Sequence, residues 1–326
     1  MRSTRIVLCL CAILPAAPGE IHQFKPARYS LVFSATPEPV LRLKPGDSVA
    51  TTSVDSEGGD ETGAIVGPKY NALTGPFFIE GAQPGDTLVV HLDRVRLNSK
   101  GGLASSRMGD NAVTARDFAA GQPGAKLYRW TYDFDSMTAS TTLTPRLSRL
   151  RMPLRPFPGC VGVAPANGES LSSLYAGPHG GNLDYRHLVE GTTLYFPVSV
   201  AGAYFYFGDG HAFQGDGEPN GGSVETPLAV TFRVELQKGP RLPALRAESP
   251  DDYIALGAGN PIDTAYQRAT ANMIHWLTTT FALDRQEAHV LIGTSARYDI
   301  GSVVNDRGNS VACRISKSLL HQMLGR

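Results

Sequence analysis

The side chains best suited to chemistry lie in two glycine-rich clusters within residues 177–218. Asp209 and His211 are two residues apart, so in an extended segment they project from the same side. Neighbouring glycines let the backbone turn sharply and approach a ligand closely. A carboxylate and an imidazole on one side, with carboxylates from a second loop, are a common plan for a divalent metal site. The two clusters are His179-Gly-Gly-Asn182-Leu-Asp184, and Asp209-Gly-His211 followed by Gln214-Gly-Asp216-Gly-Glu218.

Ordinary turns offer a second interpretation of these clusters, because Asp and Asn side chains bond their own backbone and tolerate unusual dihedral angles. Two clusters joined by apolar runs favour the functional interpretation. The runs at 194–200 and 203–207 have the length and the β-branched and aromatic content of buried strands. We therefore expect the polar clusters to lie where strands end.

The elements that must position these residues are mainly strands. The chain of 326 residues has 35 Gly, 23 Pro and a charged fraction of 18%, which is low for a helical protein. Pro-Gly-Asp turns at 45–47 and 84–86 precede apolar runs at 48–51 and 87–97. A further strand is predicted at 228–236. Residues 20–238 are thus predicted to form a β-rich domain that carries the site.

The character of the chain changes after a Pro-rich connector at 239–250, and residues 239–326 are predicted to form a C-terminal α+β portion. Apolar residues at helical spacing predict a helix from Asp263, which would be its N-cap. Asp284 and Glu287 predict a capping box at the start of a second helix, and residues 306–309 a hairpin turn. His275 and His289 on these helices are interpreted as structural.

Residues 1–19 have the pattern of a secretory signal peptide. Arg2 and Arg5 precede a short apolar segment at 6–14, and small residues lead to a cleavage point after Gly19. We therefore expect a secreted or periplasmic protein that is not membrane-bound once the signal is removed. A start codon chosen too far upstream of a cytoplasmic enzyme is the alternative.

Cysteine content and charge give coarser limits. Cys9 and Cys11 would leave with the signal, and Cys160 and Cys313 are equally compatible with one disulfide or two buried thiols. The net charge of +0 and the pI of about 7.1 argue against nucleic acid or an anionic membrane as the main partner.

The two clusters also carry a resemblance to a known family. Residues 177–218, with the run GDGHAFQGDGE, and residues 73–95 resemble signature blocks of the acetamidase/formamidase family of amide hydrolases. Weaker similarity extends from Phe24 to Ile315, including 157–166 and 287–305. The resemblance implies a mainly β fold of sandwich or distorted-barrel type with a C-terminal α+β portion. It also implies a divalent metal, a homo-oligomer and hydrolysis of small linear amides to acid and ammonia.

On this resemblance we assign Asp184, Asp209 and His211 to the metal and a proton-transfer role to Glu218. An exchange of Glu218 with one of the ligands stays open. Asp55, which matches a Thr-x-Asp element of the family, and His179 are assigned as polar groups at the site. Asp55 is equally interpreted as part of a solvated acidic loop with Glu57, Asp60 and Glu61. Imidazole ligation suits zinc, and calcium is considered for a second site.

The substrate is the least constrained part of this interpretation, because residues 100–158 match the family least and would border the pocket as a lid or an oligomer contact. A hydrolase of another amide or of an ester is one alternative. A secreted β-sandwich binding module with structural calcium is another. Cys160 as a thiol nucleophile is disfavoured, since it lacks the pattern of the nitrilase-type amidases.

Overall fold

Short runs of β-branched and aromatic residues, punctuated by Gly and Pro, form strands along most of the chain. The computed structural model describes residues 19–122, 124, 126–239, 241–304 and 308–325. Long helices occur in these ranges only after residue 261. The prediction of a mainly β fold with a C-terminal α+β portion is confirmed. The signal-peptide prediction falls on residues that, Gly19 apart, lie outside the described ranges.

The strands are numbered in chain order. They are β1 (Ile21–Gln23), β2 (Val32–Phe33), β3 (Leu41–Leu43), β4 (Ser48–Thr52), β5 (Leu73–Ile79), β6 (Thr87–Leu97), β7 (Gly101–Ser105), β8 (Leu127–Asp133), β9 (Thr138–Thr141), β10 (Met152–Pro153), β11 (Phe157–Gly162), β12 (Leu171–Ser172), β13 (Ala176–Gly177), β14 (Gly180–Asn182), β15 (Thr193–Pro197), β16 (Phe205–His211), β17 (Leu228–Gln237), β18 (Arg246–Glu248), β19 (Asp252–Gly259), β20 (Arg297–Ser302) and β21 (Asn309–Ser316). The helices are α1 (Ala115–Ala119), α2 (Ile262–Thr280), α3 (Arg285–Ser295) and α4 (Lys317–Met323).

Two sheets enclose the main core. One has nine strands in the order β1-β4-β17-β6-β15-β18-β19-β21-β20, and the other has six in the order β13-β14-β11-β16-β5-β3. In β17 every second residue from Leu228 to Val234 is buried, because the side chains of a strand alternate between its two faces. Phe232 of the larger sheet meets Phe77 and Phe205 of the smaller one, with ring centroids 5.0 and 5.1 Å apart. The sheets therefore pack face to face as a sandwich.

The C-terminal strands extend the nine-stranded sheet, and α2 covers its outer face. Ala265, Ala269 and Met273 of α2 belong to a second apolar core together with Val311 and Cys313 of β21. The predicted N-cap is wrong, since α2 begins at Ile262 after Pro261 and places Asp263 in its first turn.

Other C-terminal predictions can be compared directly. The capping box of Asp284 and Glu287 at the start of α3 is confirmed. β20 and β21 pair antiparallel as the hairpin prediction requires, although its turn falls partly on residues 305–307, outside the described ranges. His275 contacts the buried Arg246, which agrees with a structural role. The domain boundary at residue 239 stays a prediction.

The described residues between 101 and 153 form a layer of their own beside the six-stranded sheet. Strands β10-β9-β8-β7 make a four-stranded sheet, and α1 and two short 3-10 helices (Asp110–Ala112 and Leu147–Arg149) fill its connections. Trp130, Tyr132 and Ala139 of this sheet pack with Ala212 and Val224 into a small separate core. The sheet is thereby fixed next to the segment that follows His211, and we call it the lid sheet.

The structure also bears on the predictions for the cysteines and for membrane spans. Cys160 and Cys313 are both buried and free, which decides between the two arrangements left open by the sequence. Among the described helices none is long and apolar enough to cross a membrane.

Candidate active site

The central strand of the site is β16, which lies between β11 and β5 and is buried at every residue. Asp209 and His211 lie at the C-terminal end of this strand and Gln214 to Glu218 follow it, so the second polar cluster lies where a strand ends, as expected. The apolar and polar residues form one continuous strand because both faces of this segment are covered. His211 Nε2 lies 3.6 Å from Asp209 Oδ1, so the two side chains meet as their spacing predicts.

Three acidic residues of the two clusters have a left-handed backbone. The φ angles are +46° for Asp184, +56° for Asp209 and +49° for Glu218. Residues with a Cβ avoid this region at a cost of about 1–3 kcal/mol each, and such residues concentrate at functional sites. The surrounding glycines lower the crowding around these turns. The local sequence thus bends the backbone so that three carboxylates converge.

The convergence produces two overlapping groups of carboxylates around one imidazole. Ligand atoms of Asp184, His211 and Glu218 lie within 4.8 Å of one another, and so do those of Asp209, His211 and Glu225. His211 Nε2 lies 3.3 Å from Glu225 Oε1 and 3.9 Å from Glu218 Oε1. All five side chains are buried. Each group contains a glutamate, so the structure keeps Glu218 among the candidate ligands as well as the candidate bases.

Burial and mutual repulsion set the charge state of the cluster. Burial disfavours the imidazolium, but the carboxylates of Glu225 and Asp209 outweigh it and raise the pKa of His211 well above its ordinary value. Burial and the charge of Asp184 raise the pKa of Glu218 well above its ordinary value. Within the described ranges no Lys or Arg nitrogen lies within 4.0 Å of Asp209, Glu218 or Glu225. The cluster therefore concentrates negative charge that a cation would neutralise.

Glu225 is the site residue that the sequence analysis missed. It lies outside both glycine-rich clusters, in the segment Ser223-Val-Glu225-Thr-Pro ahead of β17. Isolated bridges pair it with His211 on one side and with Leu103 of the lid sheet on the other. The available signal was an acidic residue between β-branched neighbours just before a strand, a pattern that is also common on exposed strands.

A network of hydrogen bonds among Asn71, Asn182 and Cys160 supports Asp209. Asn71 Nδ2 donates to Asp209 Oδ2 at 2.9 Å and to Asn182 Oδ1 at 3.1 Å. The Cys160 thiol donates to the same Asn182 oxygen at 2.9 Å. Burial and the charge of Asp209 raise the pKa of Cys160 well above its ordinary value, so the thiol stays protonated and acts as a donor. These contacts favour a supporting role for Cys160 over a nucleophilic one.

The remaining two predicted residues lie at the edge of this arrangement. Asp55 Oδ1 accepts hydrogen bonds from the backbone of Gly59 at 2.7 Å and Glu57 at 3.0 Å, so its carboxylate closes its own loop. His179 is buried between Phe33 and Tyr175, stacked on the latter with ring centroids 6.1 Å apart. Burial lowers the pKa of His179 to about 4, so it is neutral at pH 7. Neither residue belongs to the two carboxylate and imidazole groups.

A cavity of about 350 Å³ opens from the cluster to the surface. Asp209, Glu218 and Glu225 line its buried end, and residues of the lid sheet line its mouth. A larger cleft of about 870 Å³ lies on the far side of β7 and is lined by Asp55 but by none of the five clustered side chains. We take the smaller cavity as the candidate active site because it reaches Asp209, Glu218 and Glu225.

Comparisons with known proteins agree with this architecture. A family model described as the Acetamidase/Formamidase family matches residues 36–173 and 167–316. A formamidase of Methylophilus methylotrophus is 23% identical over 337 residues, covering 78% of this chain and 80% of that protein. A putative formamidase of Schizosaccharomyces pombe is 26% identical over 223 residues. The matched part is 52% of each chain, so this chain spans about half the length of that relative. The crystal structure of an acetamidase from Yersinia enterocolitica superposes with a TM-score of 0.82 at 26% identity, covering 94% of each chain.

Proposed function

The chain belongs to the acetamidase/formamidase family, which is a family of amide hydrolases, and on that premise we propose that it hydrolyses a small linear amide. The reaction breaks the C–N bond of the amide and consumes one water, and it yields a carboxylic acid and ammonia. The observation that supports this most is the buried cluster of four carboxylates around His211 at the end of an open cavity. Such a site can both bind a cation and move a proton.

The residues at the site fit a divalent cation. Four carboxylates share one imidazole, and β11 leaves space between them at Gly159, where an added Cβ would meet side-chain atoms of Asp184, Asp209 and His211 at 2.7, 2.7 and 2.9 Å. We propose Asp184, Asp209 and His211 as the holding residues, joined by Glu225. The imidazole favours zinc or a related transition metal, and the excess of oxygen donors also suits a harder ion such as calcium at a second position.

A bound divalent cation supplies Lewis acidity toward the amide carbonyl and lowers the pKa of water. The chain itself supplies the proton transfers. Glu218 accepts a proton from the attacking water and passes it to the amide nitrogen, which then leaves as ammonia. The backbone N–H of Ser223 donates to Glu218 Oε1 at 3.0 Å and fixes the position of the carboxylate.

Replacing Glu218 with glutamine tests this role. The variant keeps the side-chain shape and loses the proton acceptor, so we expect kcat for acetamide to fall by about 10²–10⁴-fold. The cation content per chain, measured on the same sample, separates a lost base from a lost ligand. Full turnover in a cation-loaded variant would show that Glu218 is not the base.

Localisation and assembly complete the proposal. We propose that residues 1–19 direct export and that the mature chain begins at Glu20, which intact-mass analysis of protein purified from the native host would test. A mass that includes residues 1–19 would contradict it. We also propose a homo-oligomer, to be measured by light scattering of the eluting protein, and a monomer at micromolar concentration would contradict this.

A further inference from the structure

The cavity at the active site changes character from its floor to its mouth. Its floor carries Asp209, Glu218 and Glu225, whose side chains are buried. Its mouth carries the apolar side chains of Leu127 and Leu174, which are 57% and 38% exposed. A substrate that reaches the carboxylates therefore passes apolar side chains at the mouth, which also holds Glu57 and the exposed Tyr70.

The rim is assembled from separate parts of the chain. Leu103 and Leu127 come from neighbouring strands of the lid sheet, Leu174 follows β12, and Val304 follows β20. Backbone hydrogen bonds in both directions between Leu103 and Glu225 fix the lid sheet to the reactive cluster. Leu103 of the rim is thus tied directly to a carboxylate residue of the cluster.

The volume of the cavity exceeds what the smallest amides fill. Formamide and acetamide have three and four heavy atoms and occupy on the order of 100 Å³, taking about 30 Å³ for each water-sized group. The cavity measures about 350 Å³. The remaining roughly 250 Å³ holds at most about eight further groups of that size. A primary amide with an acyl group of five to seven carbons has seven to nine heavy atoms and occupies roughly 210–270 Å³, so it fits within the cavity.

The charge of the lining restricts the chemistry of that chain. No Lys or Arg lines the cavity in the described part of the protein, so an anionic group would meet carboxylates without a counter-ion. Glu57 at the mouth is already paired with Lys69 at 2.8 Å. The leucines of the rim offer apolar contact and no hydrogen-bond partner, so a polar tail gains nothing from them and stays in water. A neutral apolar tail is the best match.

We propose that the site takes primary amides with a neutral, apolar acyl group of about five to seven carbons, which packs against Leu103, Leu127 and Leu174 while the amide group meets the carboxylates. This inference rests on the proposed amide hydrolysis and specifies its substrate class. Each buried CH₂ contributes about 0.8 kcal/mol, which corresponds to about a fourfold gain in kcat/KM where the rim covers it fully.

The test is a series of unbranched primary amides from formamide to octanamide, assayed with the metal-loaded full chain by ammonia release. We expect kcat/KM to rise about two- to fourfold per CH₂ up to hexanamide or heptanamide and then to level off. A kcat/KM that falls steadily from formamide onward would overturn the inference and leave amide hydrolysis standing. Absence of ammonia from every amide would overturn the proposed function and the inference together.

Two variants and a matched control locate the acyl group. Leu127→Ser and Leu174→Ser should each lower the ratio of kcat/KM for hexanamide over that for acetamide by about three- to tenfold, because a hydroxymethyl group replaces the apolar contact. Leu143→Ser changes a leucine that is 45% exposed near the same sheet and does not line the cavity, and it should leave the ratio unchanged. Equal ratios in all three variants, or faster turnover of 6-aminohexanamide than of hexanamide by the unaltered protein, would contradict the proposal.

Discussion

Adding one methyl group at Gly159 should disturb three side chains of the reactive cluster at once. Gly159 lies in β11, and its φ is outside the left-handed region, so alanine can adopt the same backbone conformation. The new Cβ would lie 2.7 Å from Asp184 Oδ1, 2.7 Å from Asp209 Oδ2 and 2.9 Å from His211 Cε1. Ordinary contact begins at 3.4 Å, so each carboxylate oxygen must retreat by 3.4 − 2.7 = 0.7 Å.

That displacement is large for a metal site and modest for the fold. Metal–ligand distances tolerate about 0.2 Å, and catalytic groups about 0.5 Å. Overpacking a buried position costs about 1–3 kcal/mol of unfolding free energy. We therefore expect Gly159→Ala to fold, to bind its cation on the order of 10–100-fold more weakly, and to lose about 100-fold in kcat/KM.

The assay measures cation content after dialysis, cation affinity by competition with a chelator, and ammonia release from acetamide. Gly215→Ala is the matched control, because an added Cβ at this glycine of the second cluster meets no atom within 4 Å and its φ is outside the left-handed region. The control should retain cation and activity. If Gly159→Ala binds cation and turns over acetamide like the unaltered protein, the placement of the cation between Asp184, Asp209 and His211 is wrong.

Three further perturbations test separate parts of the site. Glu225→Gln removes the foremost charge that raises the pKa of His211, so the imidazole of the cation-free variant should titrate at lower pH by NMR; an unchanged titration would refute their coupling. Asn71→Gly keeps a residue that tolerates a φ of +62° but removes the amide that donates to Asp209. The affinity for the cation should fall about tenfold, with little change in the free energy of unfolding. An unchanged cation affinity would show that Asn71 does not support the site. His179 has a pKa of about 4 in the folded protein, against an ordinary value of 6.5. Between pH 6.5 and pH 4 the proton therefore binds to His179 mainly in the unfolded state. The free energy of unfolding should drop by about 3 kcal/mol as the pH falls through this range. His179→Phe should remove that dependence in urea titrations, and an equal slope in both proteins would contradict it.

Local sequence predicted the parts of the site that depend on local backbone chemistry. Asp184, Asp209, His211 and Glu218 all belong to glycine-rich clusters, and they do converge in the structure. Glycines and left-handed acidic residues shape the backbone within a few positions of one another, so their pattern can be recognised in a single sequence. The capping box at Asp284 is legible for the same reason. The family resemblance read from these blocks is confirmed by the match over 36–173 and 167–316.

The parts that were missed depend on contacts between distant segments. Glu225 joins the cluster through its bridge to His211 and the backbone pairing of Leu103, and neither partner is indicated by the residues around it. The supporting amide of Asn71 reaches Asp209 across 138 positions of sequence. His179 belongs to a polar cluster in the sequence, yet its ring is buried among aromatic side chains, because Phe33 arrives there from another sheet. Strand order fixes such contacts, and strand order is not encoded locally.

The central claim is metal-dependent hydrolysis of an amide to acid and ammonia at the cluster around His211. The most direct measurement is release of both products from acetamide and hexanamide by one preparation in three states: as purified, after removal of its metal by a chelator, and after reloading with zinc. We expect equal amounts of acid and ammonia, loss of both on chelation and their return on reloading. Undiminished product release by protein shown by elemental analysis to be metal-free would contradict it.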